Sequence, residues 1–267
     1  LARLHVGLAH RGRLNLLAQV LRSPAGRMFA EMEATQSEFA VGDVKYHLGR
    51  TARLGFPPPG GALTPAVGGL GGGGGGGPRA PWPPRPPSAT LHLSVAPNPS
   101  HLEAVCPVVL GLVRAQQDRL DGGPGAVGGL LIHGDAAFAG LGVVPETLAL
   151  GRLPGYTVGG TVHLVANNGV GFTTHPADGR SGPHPTDVAK HAGGPLPILH
   201  ACADDPDAVV DAAVLAADWR AAWGTDVVVD VVGYRRHGHN ELDDPSPAQP
   251  LTAAVVAGHP PVVALYA

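Results

Sequence analysis

Two short segments combine the residue types that bind a divalent cation together with a phosphate. They are His133-Gly134-Asp135-Ala136-Ala137-Phe138 and Ala166-Asn167-Asn168-Gly169-Val170-Gly171-Phe172-Thr173-Thr174. Magnesium favours hard oxygen ligands in an octahedral shell, usually one or two protein groups completed by phosphate oxygens and water. The Asp135 carboxylate, the Asn168 amide oxygen and a loop carbonyl such as that of Val170 are donors of this kind. Gly134, Gly169 and Gly171 let backbone approach a phosphate closely. Gly-Asp and Asn-Asn-Gly are also ordinary turn sequences, so spacing alone leaves a plain turn and a magnesium-phosphate site both open.

For the two segments to act together, the elements before them must be neighbouring strands. Each segment follows a short β-branched run, and strands are expected at 4–8, 91–96, 129–133, 161–166 and 226–232. Near-continuous apolar runs suit a parallel sheet covered on both faces, whose carboxyl edge is where open α/β sheets bind ligands. Ser100 stands three residues before Glu103, a capping-box spacing that predicts a helix over 100–120 with an early kink at Pro107. Asp205-Pro206 predicts a second helix start, with Val210, Val214, Ala217 and Ala221 on one face and Gly224 beyond its end. This alternation predicts an α/β fold, a mostly parallel sheet flanked by helices, forming one domain over 1–267. Within it, residues 51–89 are Gly/Pro-rich, with an unbroken glycine run from Gly71 to Gly77, and are expected to be a disordered insertion without chemistry.

Composition removes some partner classes. With 18 basic and 21 acidic residues among 267, the formal net charge of −3 offers no field to attract nucleic acid or an anionic membrane. No apolar run approaches the roughly 20 residues of a membrane span. The 2 cysteines, Cys106 and Cys202, form no CxxC pair, which argues against a disulfide framework or thiolate metal site and for a reducing compartment. Because Leu1 is not an initiator Met, the chain is expected to be part of a longer one.

Gly134-Asp135 followed by Asn167-Asn168 resembles the magnesium-diphosphate motif of thiamine diphosphate enzymes. Four further blocks resemble the 2-oxo acid dehydrogenases of the 2-oxoglutarate type, specifically the diphosphate-binding half of the decarboxylating first component. These are Ala9-His10-Arg11-Gly12-Arg13-Leu14-Asn15, Gly42-Asp43-Val44-Lys45-Tyr46-His47-Leu48-Gly49, Asn98-Pro99-Ser100-His101-Leu102-Glu103-Ala104 and Tyr234-Arg235-Arg236-His237-Gly238-His239-Asn240-Glu241, in the family's order.

The resemblance implies the thiamine diphosphate-binding fold, with Asp135, Asn168 and the Val170 carbonyl as magnesium ligands. It implies Arg11, Ser100, His101 and Ala136 at the cofactor, and His10 and His47 as active-site histidines facing substrate carboxylate or assisting proton transfer. A guanidinium fork such as that of Arg11 matches phosphate oxygens. Ser100 has the alternative role of helix cap, and His101 that of a structural residue. His237 and His239 lack the further ligands of a metal site, and Arg235 and Arg236 are expected to pair with Glu241, Asp243 or Asp244. Against the family's Asn-Gln and Arg-Arg-Asn-Gly-His, this chain has Asn168-Gly169 and Arg235-Arg236-His237-Gly238-His239; the first change spares a backbone ligand.

By resemblance, the complete protein is a homodimeric oxidoreductase of the tricarboxylic acid cycle. It would decarboxylate a 2-oxo dicarboxylic acid and pass a succinyl group to the lipoyl arm of an acyltransferase in a multienzyme complex, in a mitochondrial matrix or bacterial cytoplasm. The family's aminopyrimidine-binding half is absent, so this chain alone is expected not to turn over. A 2-oxoadipate dehydrogenase is the neighbouring reading: Tyr46 favours the 2-oxoglutarate type, whereas Val144-Pro145-Glu146-Thr147 and Val158-Gly159-Gly160 lean the other way. A non-catalytic magnesium-phosphate or nucleotide-binding module and an inactive truncated product are the readings of another class.

Overall fold

Runs of valine, leucine and isoleucine too short for buried helices become the strands β1 (Arg3–Leu8), β2 (Arg50–Phe56), β3 (Ala89–Val95), β4 (Val127–Gly134), β5 (Thr161–Asn167), β6 (Ile198–Cys202) and β7 (Val227–Val232). They form a 7-stranded sheet in the order β2-β3-β1-β4-β5-β7-β6. Every pairing is parallel except that of β2 with β3. The computed structural model describes residues 1–9, 12–33, 47–56, 89–172, 174–192, 194, 196–237, 244, 246–247 and 249–267.

The helices are α1 (Arg13–Asn15), α2 (Ala25–Glu33), α3 (Val105–Gln117), α4 (Gly123–Ala126), α5 (Asp135–Gly140), α6 (Val143–Leu150), α7 (Ala189–Ala192), α8 (Pro206–Trp223), α9 (Pro250–Gly258) and α10 (Val262–Tyr266). One sheet face packs Val105, Val109 and Val113 of α3 against Val127 and Leu131, and Phe138, Val144 and Leu148 of α5 and α6 against Val165 and Val228. On the other, Leu17 and Leu21 cover Val6, Leu8 and Leu93, while Ala216 of α8 covers Val227 and Val229. Successive strand residues thus serve opposite layers, the geometric consequence of a two-residue period.

After β1 the chain moves to one side and pairs β3; after β4 it moves to the other and pairs β5. That divergence makes the carboxyl ends of β1 and β4 the switch point of the sheet, the usual ligand position in such folds.

A buried cation holds this edge. Arg13 has 0% exposure, and its guanidinium donates to the carbonyls of Leu8 at 2.7 Å, Leu48 at 2.8 Å and Ala96 at 2.9 Å. These carbonyls terminate β1, lead into β2 and follow β3, so one side chain gathers two strand exits and one strand entry. Burial pulls the Arg13 pKa down to about 10, a value at which it still keeps its charge near neutrality.

Several expectations are corrected by packing. Strand β2 occupies residues 51–56 of the stretch expected to be disordered, because Ala52 and Leu54 reach the core and its antiparallel ladder with β3 is complete; residues 57–88 lie outside the described set. Edge strand β6 was not anticipated. Helix α3 begins at Val105, not Ser100, and its N-cap Ala104 makes no side-chain cap. Pro107 falls in the first turn, where its missing N–H has no helical acceptor to lose.

Helix α8 starts and stops as expected: Asp205 accepts from the Ala208 N–H at 3.0 Å, and Gly224 closes it at φ 61°. Its packed face is Ala212, Ala216 and Trp219, however, while Val210 is 51% exposed. Alanine all round gives little amphipathic contrast, so tertiary contact selects the face. Among the described residues no helix is long and apolar enough to cross a membrane.

Replacing Arg13 with Met leaves three carbonyls without their donor. We expect a stability loss of at least about 3 kcal/mol, given roughly 1–3 kcal/mol for each unsatisfied buried group. Urea unfolding measures this, and Arg13→Lys should recover less than half, since an ammonium lacks the planar fork.

Candidate diphosphate and magnesium site

Parallel register sets Gly134 of β4 beside Ala166 of β5, so the residues leaving the two strands emerge together. Asp135, 3% exposed, opens α5, and its carboxyl receives the backbone N–H groups of Asn168, Ala136 and Asp135 itself. Asp135 and Asn168 therefore converge as expected. Gly171 closes the arrangement from the far side: a Cβ there would stand 3.3 Å from the Ala136 Cβ.

The loop after β5 turns through Gly169 at φ 66°, a left-handed conformation that suits glycine. The Asn168 Oδ1 accepts the Val170 N–H at 3.1 Å, an Asx turn. The turn reading and the ligand reading are thus compatible, because an amide oxygen has a second lone pair for a cation.

Electrostatically the Asp135 carboxyl is short of positive charge. Burial raises its pKa, and the three N–H groups and Arg180 only partly oppose that rise. Arg180 Nη1 stands 3.5 Å from Asp135 Oδ2. A divalent cation on Asp135 would hold the carboxylate ionised, and the donor set of carboxylate, amide oxygen and loop carbonyl suits magnesium. The residues present fit the group.

The second cluster gathers at β1 and β3. His47 is buried, and its carbonyl accepts the Asn98 N–H at 3.1 Å, tying it to the loop that carries Ser100 and His101, both exposed. His10 and Arg11 lie outside the described residues; their neighbours Ala9 and Gly12 follow the carboxyl end of β1. Arg236 donates to the carbonyls of Val256 at 3.3 Å and His259 at 2.8 Å, which ties it to the C-terminal segment. Glu241, Asp243 and His239 are outside the described residues, and His237 is exposed.

Between these clusters runs a buried polar chain that sequence reading missed. Glu103, assigned there to a helix cap, is instead 4% exposed at φ 66° and faces inward. Its Oε2 accepts from His133 Nδ1 at 2.6 Å and from the Cys106 thiol at 3.1 Å. His133 Nε2 meets His163 Nδ1 at 3.1 Å, with the rings stacked at 5.2 Å. His163 Nε2 ends 4.0 Å from Asp226 Oδ2, too far for a hydrogen bond.

If Glu103 is the acceptor at His133, the tautomers follow in sequence, leaving His163 Nε2 as an acceptor facing Asp226. The available signal was a polar residue recurring within apolar strands: His133 and His163 occupy core-facing positions of β4 and β5. The chain links the Ser100 loop to β4 just before Asp135, and β4 to β5 ahead of Asn168.

Burial, then the nearby His133, pushes the His163 pKa well below its usual value, and burial raises Asp226 to about 6. Folding thus keeps both neutral where the unfolded chain charges both. Between about pH 4 and pH 6 the depressed His163 makes stability rise with pH, whereas the raised Asp226 makes it fall. The opposing slopes largely cancel in the native pair.

Asp226→Asn retains an acceptor for the Thr161 N–H, which Asp226 Oδ1 binds at 2.8 Å. It should leave stability rising with pH up to about 6.5, whereas His163→Asn should leave it falling, each by up to about 1.4 kcal/mol per pH unit. Urea midpoints across this range check both signs.

Residues 90–267 match the family described as "Dehydrogenase E1 component". Over 265 residues the chain is 47% identical to the mitochondrial 2-oxoglutarate dehydrogenase of Schizosaccharomyces pombe, covering 98% of this chain and 23% of that protein. It is 43% identical over 282 residues to the 2-oxoglutarate dehydrogenase E1 component of Geobacillus kaustophilus, covering 98% and 26%. With the 2-oxoglutarate dehydrogenase E1/E2 component of Corynebacterium glutamicum the identity is 44% over 266 residues, covering 98% and 19%. The chain spans about a quarter of the length of these curated relatives.

Proposed function

Because this chain belongs to the dehydrogenase E1 component family, we propose that it is the diphosphate-binding part of a thiamine diphosphate-dependent 2-oxoglutarate dehydrogenase. The observation that carries the reading is the meeting of Asp135 and Asn168 at the carboxyl ends of β4 and β5, where backbone N–H groups already surround the Asp135 carboxyl.

In this reading Asp135, Asn168 and the Val170 carbonyl hold magnesium. Arg11, Ser100, His101 and Ala136 contact the cofactor, and Arg180 adds positive charge beside Asp135. When bound, thiamine diphosphate supplies the electron sink that lets a 2-oxo acid lose carbon dioxide. His10 and His47 bind the distal carboxylate of a dicarboxylic substrate or hold a proton beside the reacting carbon. Burial of the Asp135 carboxyl strengthens its charge interactions.

The complete protein acts in this proposal as a homodimer and hands a succinyl group to a lipoyl-bearing acyltransferase. It does so in the matrix, as for the mitochondrial relative, or in a bacterial cytoplasm.

Calorimetry on the complete protein tests the site. Magnesium-dependent binding of thiamine diphosphate is expected, weakened more than about 100-fold by Asp135→Ala or Asn168→Ala, beyond the 10–100-fold typical of an outer residue. Val170→Ala should bind normally, since only its carbonyl is used. ATP binding in place of thiamine diphosphate would overturn the reading. Steady-state turnover should favour 2-oxoglutarate; a preference for 2-oxoadipate would reassign the substrate, whose extra methylene is worth only about 1–3 kcal/mol.

A further inference from the structure

On the sheet face that carries α5, three potential metal ligands from three separate elements meet outside the diphosphate loops. His200 of edge strand β6 is paired in register with Asp230 of β7, and His200 Nδ1 lies 2.9 Å from Asp230 Oδ2. His184, just before the 3-10 turn Pro185–Val188, sets its ring 4.5 Å from that of His200. One ligand atom from each residue lies within 4.8 Å of the other two.

Asp230 makes the cluster more than a histidine pair. It is 0% exposed, and among the described residues its Oδ1 has no hydrogen-bond partner. A buried carboxylate satisfied on one oxygen by an imidazole leaves the other desolvated, which is costly unless a cation meets it. Asp230 Oδ2 is served by His200; the remaining acceptor capacity is unmet.

The three residues also differ in access. Asp230 forms the floor, while the His200 side chain is 39% exposed and His184 is exposed, so an ion has a route in from solvent. The other close group, Glu103, Cys106 and His133, is buried throughout and already joined by its own hydrogen bonds.

We propose that His184, His200 and Asp230 form a three-ligand site for a zinc-class divalent cation, with a fourth position open to water. Two imidazoles and a carboxylate select zinc, cobalt, nickel or copper over magnesium and calcium. Tetrahedral ligand bonds of about 2.0–2.2 Å set donor atoms roughly 3.5 Å apart, a spacing bracketed by the 2.9 Å between His200 and Asp230 and the 4.8 Å limit across the group. The backbone N–H of His184 is already held by Asp187 Oδ2 at 3.2 Å, so its ring starts from an anchored main chain. Occupancy ties the segment that carries Arg180 and His184 to the edge of the sheet.

The test uses the complete protein, stripped of metal by a chelator and titrated with Co2+, read by the visible absorption of four-coordinate cobalt and its loss on adding Zn2+. Binding is expected in the unmodified protein and in Asp135→Ala, with affinity lowered at least about 10-fold by His184→Ala and by His200→Ala. Asp230→Asn should do the same. If that buried substitution unfolds the protein, the exposed His184→Ala still decides the matter, with circular dichroism reporting its fold. Wild-type cobalt binding in both histidine variants, absence of a four-coordinate band, or a band lost in Asp135→Ala would each overturn the proposal.

Discussion

The guanidinium of Arg13 is buried and donates hydrogen bonds to the carbonyls of Leu8, Leu48 and Ala96. A desolvated cation is tolerated there because those carbonyls turn their negative ends to its two terminal nitrogens. The constraint is mutual: without the cation, three segments at the carboxyl edge would converge on a void lined by acceptors. The His47 segment, the Asn98 loop and the end of β1 are therefore placed relative to one another by a single side chain.

At the opposite edge Arg220 repeats the device, donating to the carbonyls of Gly160 at 2.7 Å, Pro124 at 3.0 Å and Val127 at 3.2 Å. Both ends of the parallel sheet are thus drawn in by buried arginines, while aliphatic layers hold its faces. Between the two edges the Glu103–His133–His163 chain occupies positions that hydrophobic residues would fill in a sheet built only for stability. A left-handed Glu103 and two buried imidazoles are costly features, and they lie directly behind the strand ends that present Asp135 and Asn168. Polar networks of this kind specify one arrangement, since partial satisfaction is worse than none.

Much of the sheet is legible in the chain because strand identity depends on local runs. The segments around Leu4, Leu91, Gly129, Thr161 and Asp226 are short, largely apolar runs bounded by turns, and each became a strand. Strand β2 was hidden by the Gly/Pro-rich residues after it, although Ala52 and Leu54 alternate with Arg and Thr as a half-buried edge requires. Glu103 was misread for a different reason. A spacing that suits a capping box is a local signal, and a tertiary partner, His133, outcompeted it.

The sequence alone determined the residue types and their order: Gly134-Asp135 and Asn167-Asn168-Gly169 after two apolar runs, and the blocks that resemble the 2-oxo acid dehydrogenases. These are properties of neighbours along the chain, and strand period and turn chemistry suffice to read them. Only the tertiary structure decided that Arg13 and Arg220 are internal, that α8 packs through Ala216, and that His184, His200 and Asp230 meet. Each of these depends on register and crossover between segments tens of residues apart, and a one-residue slip in a strand would turn the same side chains to the other face.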